Sequence, residues 1–293
     1  MTAQSNGKGI LLMIATTFVF AMQDGISRHL AAEYNTFMVV MIRYWFFAAF
    51  ALAIAARQPG GIAQVAGTRQ PVLQIGRGLL LATEICVAVY GFTLIGLVES
   101  HAIFATYPLM VTALAGPMLG EKAGWRRWLA ILVGFLGMLI ILQPGTGVFQ
   151  AVAVIPLISG FLFALYSLLT RFAARQDSAL TSFFWTGLAG AVAMTFVGLP
   201  NWQAMTPGDS LWMLALCVTG VGGHWLLIRC YEVAEASAVQ PFAYFHLVFA
   251  VLIGLLVFGE TLKSNVVAGA SLIVGAGVFA LWRAHVRAAR QKV

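Results

Sequence analysis

The chain has 293 residues, 61% of them hydrophobic and 9% charged, with a net charge of +7 and a mean hydropathy of +0.90. Soluble domains are about half apolar and a quarter charged, so this composition excludes a water-facing globule, and its apolar richness excludes disorder. In a soluble protein the positive balance would suggest nucleic acid. Here it reads as a topology signal, and no nucleic-acid partner is expected.

The apolar runs are continuous and about 20 residues long, the length of a bilayer-crossing helix. They lack the two-residue alternation of an outer-membrane barrel. The chain is therefore expected to be an all-α integral membrane protein with the lipid bilayer as its surroundings. Ten spans are predicted, at 8–29, 35–56, 72–94, 100–119, 125–143, 151–172, 179–199, 209–230, 237–258 and 264–284. The first reads as a membrane span rather than a cleaved signal peptide. It carries Gln23 and Asp24 near one end, the second Arg43 and Tyr44, and the third Glu84 and Tyr90. His101 is placed at an external turn, in solvent. The fourth span contains Tyr107-Pro108 and closes on Leu119-Gly120-Glu121.

Trp185 lies in the seventh span, His224 in the eighth behind a Gly220-x-Gly222-Gly223 cluster, and Tyr244 and His246 in the ninth. Trp125, Trp128, Trp202, Trp212 and Trp282 fall at span ends, as interfacial anchors do. Cys86, Cys217 and Cys230 form no CxxC pair and read as apolar filler, with no metal site. The longest connections are Arg57–Gln70 and Pro200–Gly208.

Ten spans put both termini on one side. That side collects fourteen Lys and Arg residues, Arg77 among them, against Arg28 and Lys263 on the other. The positive-inside rule then makes both termini cytoplasmic, in the inner or plasma membrane.

The two halves resemble each other. Phe18-Val19-Phe20-Ala21 and Ser27-Arg28 match Phe161-Leu162-Phe163-Ala164 and Thr170-Arg171 at an offset of 143. Leu119-Gly120-Glu121 matches Phe258-Gly259-Glu260 at 139. Each repeat holds five spans, so the second copy enters the membrane inverted, as in many secondary transporters. The repeats are expected at 1–145 and 146–293. Pro108 has Leu247 at its equivalent position and Pro241 six residues earlier, so the halves are expected to bend at different depths.

With the duplicated unit, Arg43, Tyr107-Pro108 and the two Gly-Glu helix ends, the chain resembles the drug/metabolite transporter superfamily in its ten-span EamA branch. Within that branch it is most similar to the aromatic amino-acid exporters. The resemblance implies two inverted five-helix units around a central cavity, and export of aromatic or large neutral amino acids or related small metabolites.

Ionisable residues inside a bilayer are costly and mark sites or pairs. Counted at 1.5 Å per residue, Arg43 and Glu84 lie about 12 and 16 Å deep. They are therefore expected either to pair with each other or to meet the ends of a zwitterion. Candidate cavity residues are Gln23, Arg43, Tyr44, Glu84, Tyr90, Tyr107, Trp185, His224, Tyr244 and His246. Glu121 and Glu260 are read as structural helix-closing residues.

No GxxxxGK[ST], HExxH or GxSxG is present, so no catalytic residue, cofactor or metal is assigned. A secondary carrier with a small-molecule substrate and alternating access fits best. A multidrug or organic-cation exporter of the same fold is the alternative. A polytopic membrane enzyme would need clustered polar groups that the sequence scatters. The sequence sets no oligomeric state, and a monomer is compatible with it.

Overall fold

A computed structural model describes residues 6–120, 125–142, 151–234 and 236–290. Among these residues there is no strand. Seven helical segments are long and apolar enough to cross a membrane, and three shorter apolar helices, at Leu132–Ile141, Phe245–Phe258 and Ser264–Ala276, complete the ten.

The first repeat is built from α1 (Asn6–Glu33), α2 (Thr36–Ala56), α3 (Gly61–Ala66), α4 (Pro71–Ile95), α5 (Leu97–Phe104), α6 (Tyr107–Leu119) and α7 (Trp125–Leu142). The second comprises α8 (Val154–Ala173), α9 (Ala179–Gly198), α10 (Pro207–Val233), α11 (Ala236–Ala243), α12 (Phe245–Phe258) and α13 (Ser264–Arg290). The short helix α3 interrupts the connection read as loop. Gly60, at φ +82°, lets the chain reverse into it, and the Trp185 indole donates to the Ala66 carbonyl at 3.0 Å.

Side chains at the turns fix where several helices begin. Asn35 accepts from the Phe37 N–H at 2.9 Å, Ser178 from Thr181 at 3.0 Å and Thr206 from Asp209 at 3.2 Å. Each satisfies a donor that has no partner within its helix. The helix ends are as specific. Gly120 and Gly259 hold φ of +78° and +62°, the left-handed turn that closes α6 and α12. This explains why the repeat keeps Gly at both positions.

Two spans are broken. The fourth parts at Ala105-Thr106 between α5 and α6, and the ninth at Tyr244 between α11 and α12. At the repeat offset of 139, Ala105 corresponds to Tyr244. The halves therefore break at the same level, not at different depths. Pro108 sits in the first turn of α6, where its missing N–H costs nothing. In the second half Pro241 removes a donor in the turn before the break instead.

Inter-helix contacts follow a pseudo-twofold exchange of the repeats. α1 packs on α10 and α8 on α4; α4 on α9 and α10 on α2; α1 on α12 and α8 on α6. The pairs α2–α9 and α7–α13 map onto themselves. Small residues set the α7–α13 approach: a Cβ at Gly137 would stand 2.7 Å from the Gly269 carbonyl oxygen.

Arg77, counted as a loop cation, is fully buried in α4. It donates to Thr170 at 3.2 Å, Gln74 at 3.2 Å and Thr186 at 3.0 Å. It is a cross-repeat tie between α4, α8 and α9. Leu11, Val72, Phe196, Leu211 and Leu256 face outward on the bundle. Trp125, Trp128, Trp202 and Trp212 are exposed at span ends.

Candidate functional site

A narrow, partly open cavity lies between the repeats. Its walls come from α1, α2, α4, α5, α8, α10 and α12. Phe20, Phe92, Phe104 and Phe163 supply the aromatic faces, and Gln23, Arg43, Glu84, His224, Asp24, His101 and His246 supply the polar groups.

Arg43 reaches the cavity from α2. Its Nη2 lies 3.0 Å from His224 Nε2 on α10. A guanidinium only donates, so His224 Nε2 accepts and the ring proton sits on Nδ1. That Nδ1 has no hydrogen-bond partner. Gly220 opens the space: a Cβ there would be 2.8 Å from Arg43 Nε. Glu84 reaches in from α4 and accepts from the Ser159 hydroxyl of α8 at 2.7 Å.

The expected Arg43–Glu84 pair is thus absent among the described ion pairs. Each charge rests against a neutral partner instead, Arg43 against His224 of α10 and Glu84 against Ser159 of α8. Both charges remain in the wall. Gln23, 4% exposed, carries a further orphan acceptor, its Oε1. Phe20 packs on His224 at 5.0 Å between ring centroids and on His246 at 6.1 Å.

The remaining sequence candidates lie elsewhere. Tyr44, Tyr107 and Tyr244 are buried in the packed core around the cavity, and the hydroxyls of Tyr44 and Tyr244 have no partner. Tyr90 is exposed on the outside of α4. Trp185 braces α3. Glu121 lies outside the described residues.

Two residues change place. His101, read as a solvated turn residue, is 2% exposed on α5. Asp24, left open as an interfacial group, meets two histidines through its Oδ2: His101 Nε2 at 3.0 Å and His246 Nε2 at 2.9 Å. Ser159 had no signal of its own in the sequence. His101 had one: Gly96, at φ +82°, starts α5 one turn earlier than the charge pattern suggests.

Glu260 acts at the rim. Its two oxygens accept from the backbone N–H groups of Leu97 at 2.8 Å and Val98 at 2.7 Å, capping α5. It also pairs with Arg28 of α1, whose guanidinium stacks over Phe258 at 4.1 Å. The structural reading of Glu260 agrees with this geometry.

An inverted repeat, two broken helices and a cavity of mixed aromatic and ionic character between the repeats define a polytopic membrane carrier. The model of the EamA-like transporter family matches this chain twice, at residues 7–143 and 150–282. The chain belongs to the EamA-like transporter family.

It is 30% identical to the riboflavin transporter of Vibrio cholerae over 91% of this chain and 90% of that one. It is 24% identical to the S-adenosylmethionine uptake transporter of Rickettsia prowazekii, covering 94% and 92%. It is 26% identical to the pseudopaline exporter of Pseudomonas aeruginosa, covering 91% and 93%. A solved structure described only as the crystal structure of a protein superposes with a TM-score of 0.69 over 96% of this chain and 99% of that one, at 17% identity, and so shares the fold. The chain is a multi-pass membrane transporter and not an enzyme.

Proposed function

We propose that this carrier moves a small metabolite that joins a planar aromatic ring to polar, hydrogen-bonding edges, with riboflavin the first compound to test. The observation that carries this reading is the cavity itself. Four phenylalanines form its walls, and the buried Gln23 Oε1 and His224 Nδ1 lack partners. A buried polar atom left unpaired costs about 1–3 kcal/mol, so a substrate that supplies both a donor and an acceptor would recover that cost. An isoalloxazine ring offers both along one edge and stacks well on phenylalanine. The Vibrio cholerae relative named for riboflavin supports the choice.

A second reading, export of aromatic or large neutral amino acids, rests on a different observation. Arg43 and Glu84 line the same cavity without neutralising each other. A zwitterion would place its carboxylate and ammonium on them. The test uses purified carrier in liposomes loaded with labelled riboflavin, phenylalanine or a planar organic cation. Riboflavin efflux competed by external riboflavin is expected. Efflux of phenylalanine alone would favour the second reading, and efflux of the cation alone would reject both.

We also place the protein in the inner membrane with both termini cytoplasmic, on the loop-charge bias. A cysteine at Gln58 should label only after permeabilisation, and one at Gln203 in intact cells. Both positions are exposed, on connections at opposite ends of the bundle. The reverse pattern would invert the assignment.

A further inference from the structure

We propose that Asp24, His101 and His246 form a binding site for one exchangeable proton, through which substrate movement is coupled to the proton gradient. This rests on the carrier reading but on no particular substrate.

The argument starts from hydrogen-bond accounting. His101 Nδ1 lies 3.0 Å from the Leu97 carbonyl oxygen. A carbonyl only accepts, so Nδ1 carries a proton. His101 Nε2 lies 3.0 Å from Asp24 Oδ2. An ionised carboxylate also only accepts, so Nε2 must carry a second proton, or Oδ2 must itself be protonated and donate to Nε2. The same Oδ2 meets His246 Nε2 at 2.9 Å, where one ring N–H suffices. Either way the triad holds one proton more than an aspartate with two neutral imidazoles. Without it, the lone pair of His101 Nε2 would face the carboxylate oxygen, and that contact would open.

The surroundings favour a single cation on His101. It occupies the last turn of α5, where backbone carbonyls point toward it. Phe92 stacks on its ring at 5.0 Å with planes 15° apart, and Phe104 meets its edge at 6.1 Å. The His101 and His246 ring centroids are 4.7 Å apart, so a second imidazolium would meet strong repulsion in this buried setting. The site therefore takes one proton. The candidate donor atoms of the three residues all lie within 4.8 Å of one another, so a metal ion is the competing occupant.

The charged and titratable groups around the triad come from every helix that packs there. Arg43 of α2, Glu84 of α4 and His224 of α10 face the same cavity. α6 and α8 bring Tyr107 and Tyr166, and Tyr244 precedes α12. Arg28 and Glu260 are paired one turn beyond Asp24, and Glu99 is paired with Lys263. α7 and α13, which also pack on α5, and α11 add no titratable side chain among the described side chains.

Position makes the proton a coupling ion. Asp24 and His101 belong to the first repeat, and His246 to the second. His101 lies in the last turn of one half-helix and His246 in the first turn of another, the elements expected to move when the repeats rock. Proton entry from bulk water closes the His101–Asp24 contact and proton release opens it, so the two states differ in how α5 is held to α1, beside the Asp24–His246 contact that joins the repeats.

The test is ¹⁵N spectroscopy of ring-labelled histidine in the full-length carrier in lipid nanodiscs, titrated from acid to alkaline pH. The expected result is one histidine with both nitrogens protonated at neutral pH, identified as His101 by its absence in His101→Gln. It should revert to one protonated nitrogen at higher pH. His101 keeping a lone-pair nitrogen at every pH while the ¹³C-labelled Asp24 carboxyl stays ionised overturns the proposal, and the wild type alone gives that answer should a variant not fold. Saturable micromolar Zn²⁺ binding that shifts both histidines together also overturns it, in favour of a metal site. In liposomes containing a pH dye, riboflavin flux should move protons in the wild type. Riboflavin flux without proton movement rejects coupling, whereas absence of riboflavin flux rejects only the substrate.

Discussion

Arg43→Leu should cut substrate flux at least tenfold while leaving the amount of folded carrier unchanged. The reason lies in what Arg43 touches. It is 2% exposed, and its hydrogen bond is to the neutral ring of His224. No carboxylate lies within ion-pair distance among the described pairs. A buried cation without an opposite charge is costly to the fold, so an apolar replacement sheds that cost and offsets the volume lost with the shorter side chain. What disappears is a donor and a charge in the cavity wall. Tenfold corresponds to about 1.4 kcal/mol, a modest demand on a charge-assisted hydrogen bond to substrate. Flux per folded protein and the melting temperature, measured on the same sample, separate the roles. A parallel fall of both would mark Arg43 as structural. Arg43→Gln adds discrimination. An amide still hydrogen-bonds a neutral ring, so riboflavin flux should fall less than phenylalanine flux.

The ten spans were legible because a bilayer demands long apolar runs and leaves little room for alternatives. The repeat was legible because Gly120 and Gly259 are fixed by backbone geometry that few other residues adopt. The cavity walls were not. Sequence reasoning favoured aromatics with polar handles, such as Tyr44, Tyr107 and Trp185, whereas the walls are Phe20, Phe92, Phe104 and Phe163. In a soluble helix the polar face marks the outside. Here lipid and core are both apolar, so the pattern cannot say which Phe points inward.

The same blindness applied to charge. Arg77 stands a few residues from a span start and reads as a loop cation, yet α4 carries it into the cross-repeat contact. His101 was misplaced for the opposite reason, since its span was begun too late. Individual polar residues such as Arg43, Glu84, His224 and His246 were identified because their burial is costly wherever they point. Their partners depended on helix neighbours that no local pattern encodes. Ser159 and Asp24 are the clear cases.

Glu260→Ala should lower stability by about 2–3 kcal/mol, a large effect for one residue outside the cavity. Two losses combine. The first turn of α5 would lose acceptors for the Leu97 and Val98 N–H groups, worth about 1 kcal/mol as a helix cap. Arg28 would lose its partner while remaining under Phe258, adding about 1–2 kcal/mol for a half-buried cation left unpaired. Glu260→Gln retains one acceptor and should cost about half as much. The ion pair also joins α1 of the first repeat to the end of α12 in the second, so it ties the repeats at one end of the cavity. A double-mutant cycle with Arg28→Met measures that tie. Because Arg28→Met removes the stranded cation, Glu260→Ala in its background should cost only the cap, about 1 kcal/mol. Strict additivity in thermal melts would show that Glu260 acts on α5 alone and that Arg28 contributes nothing to holding the repeats together.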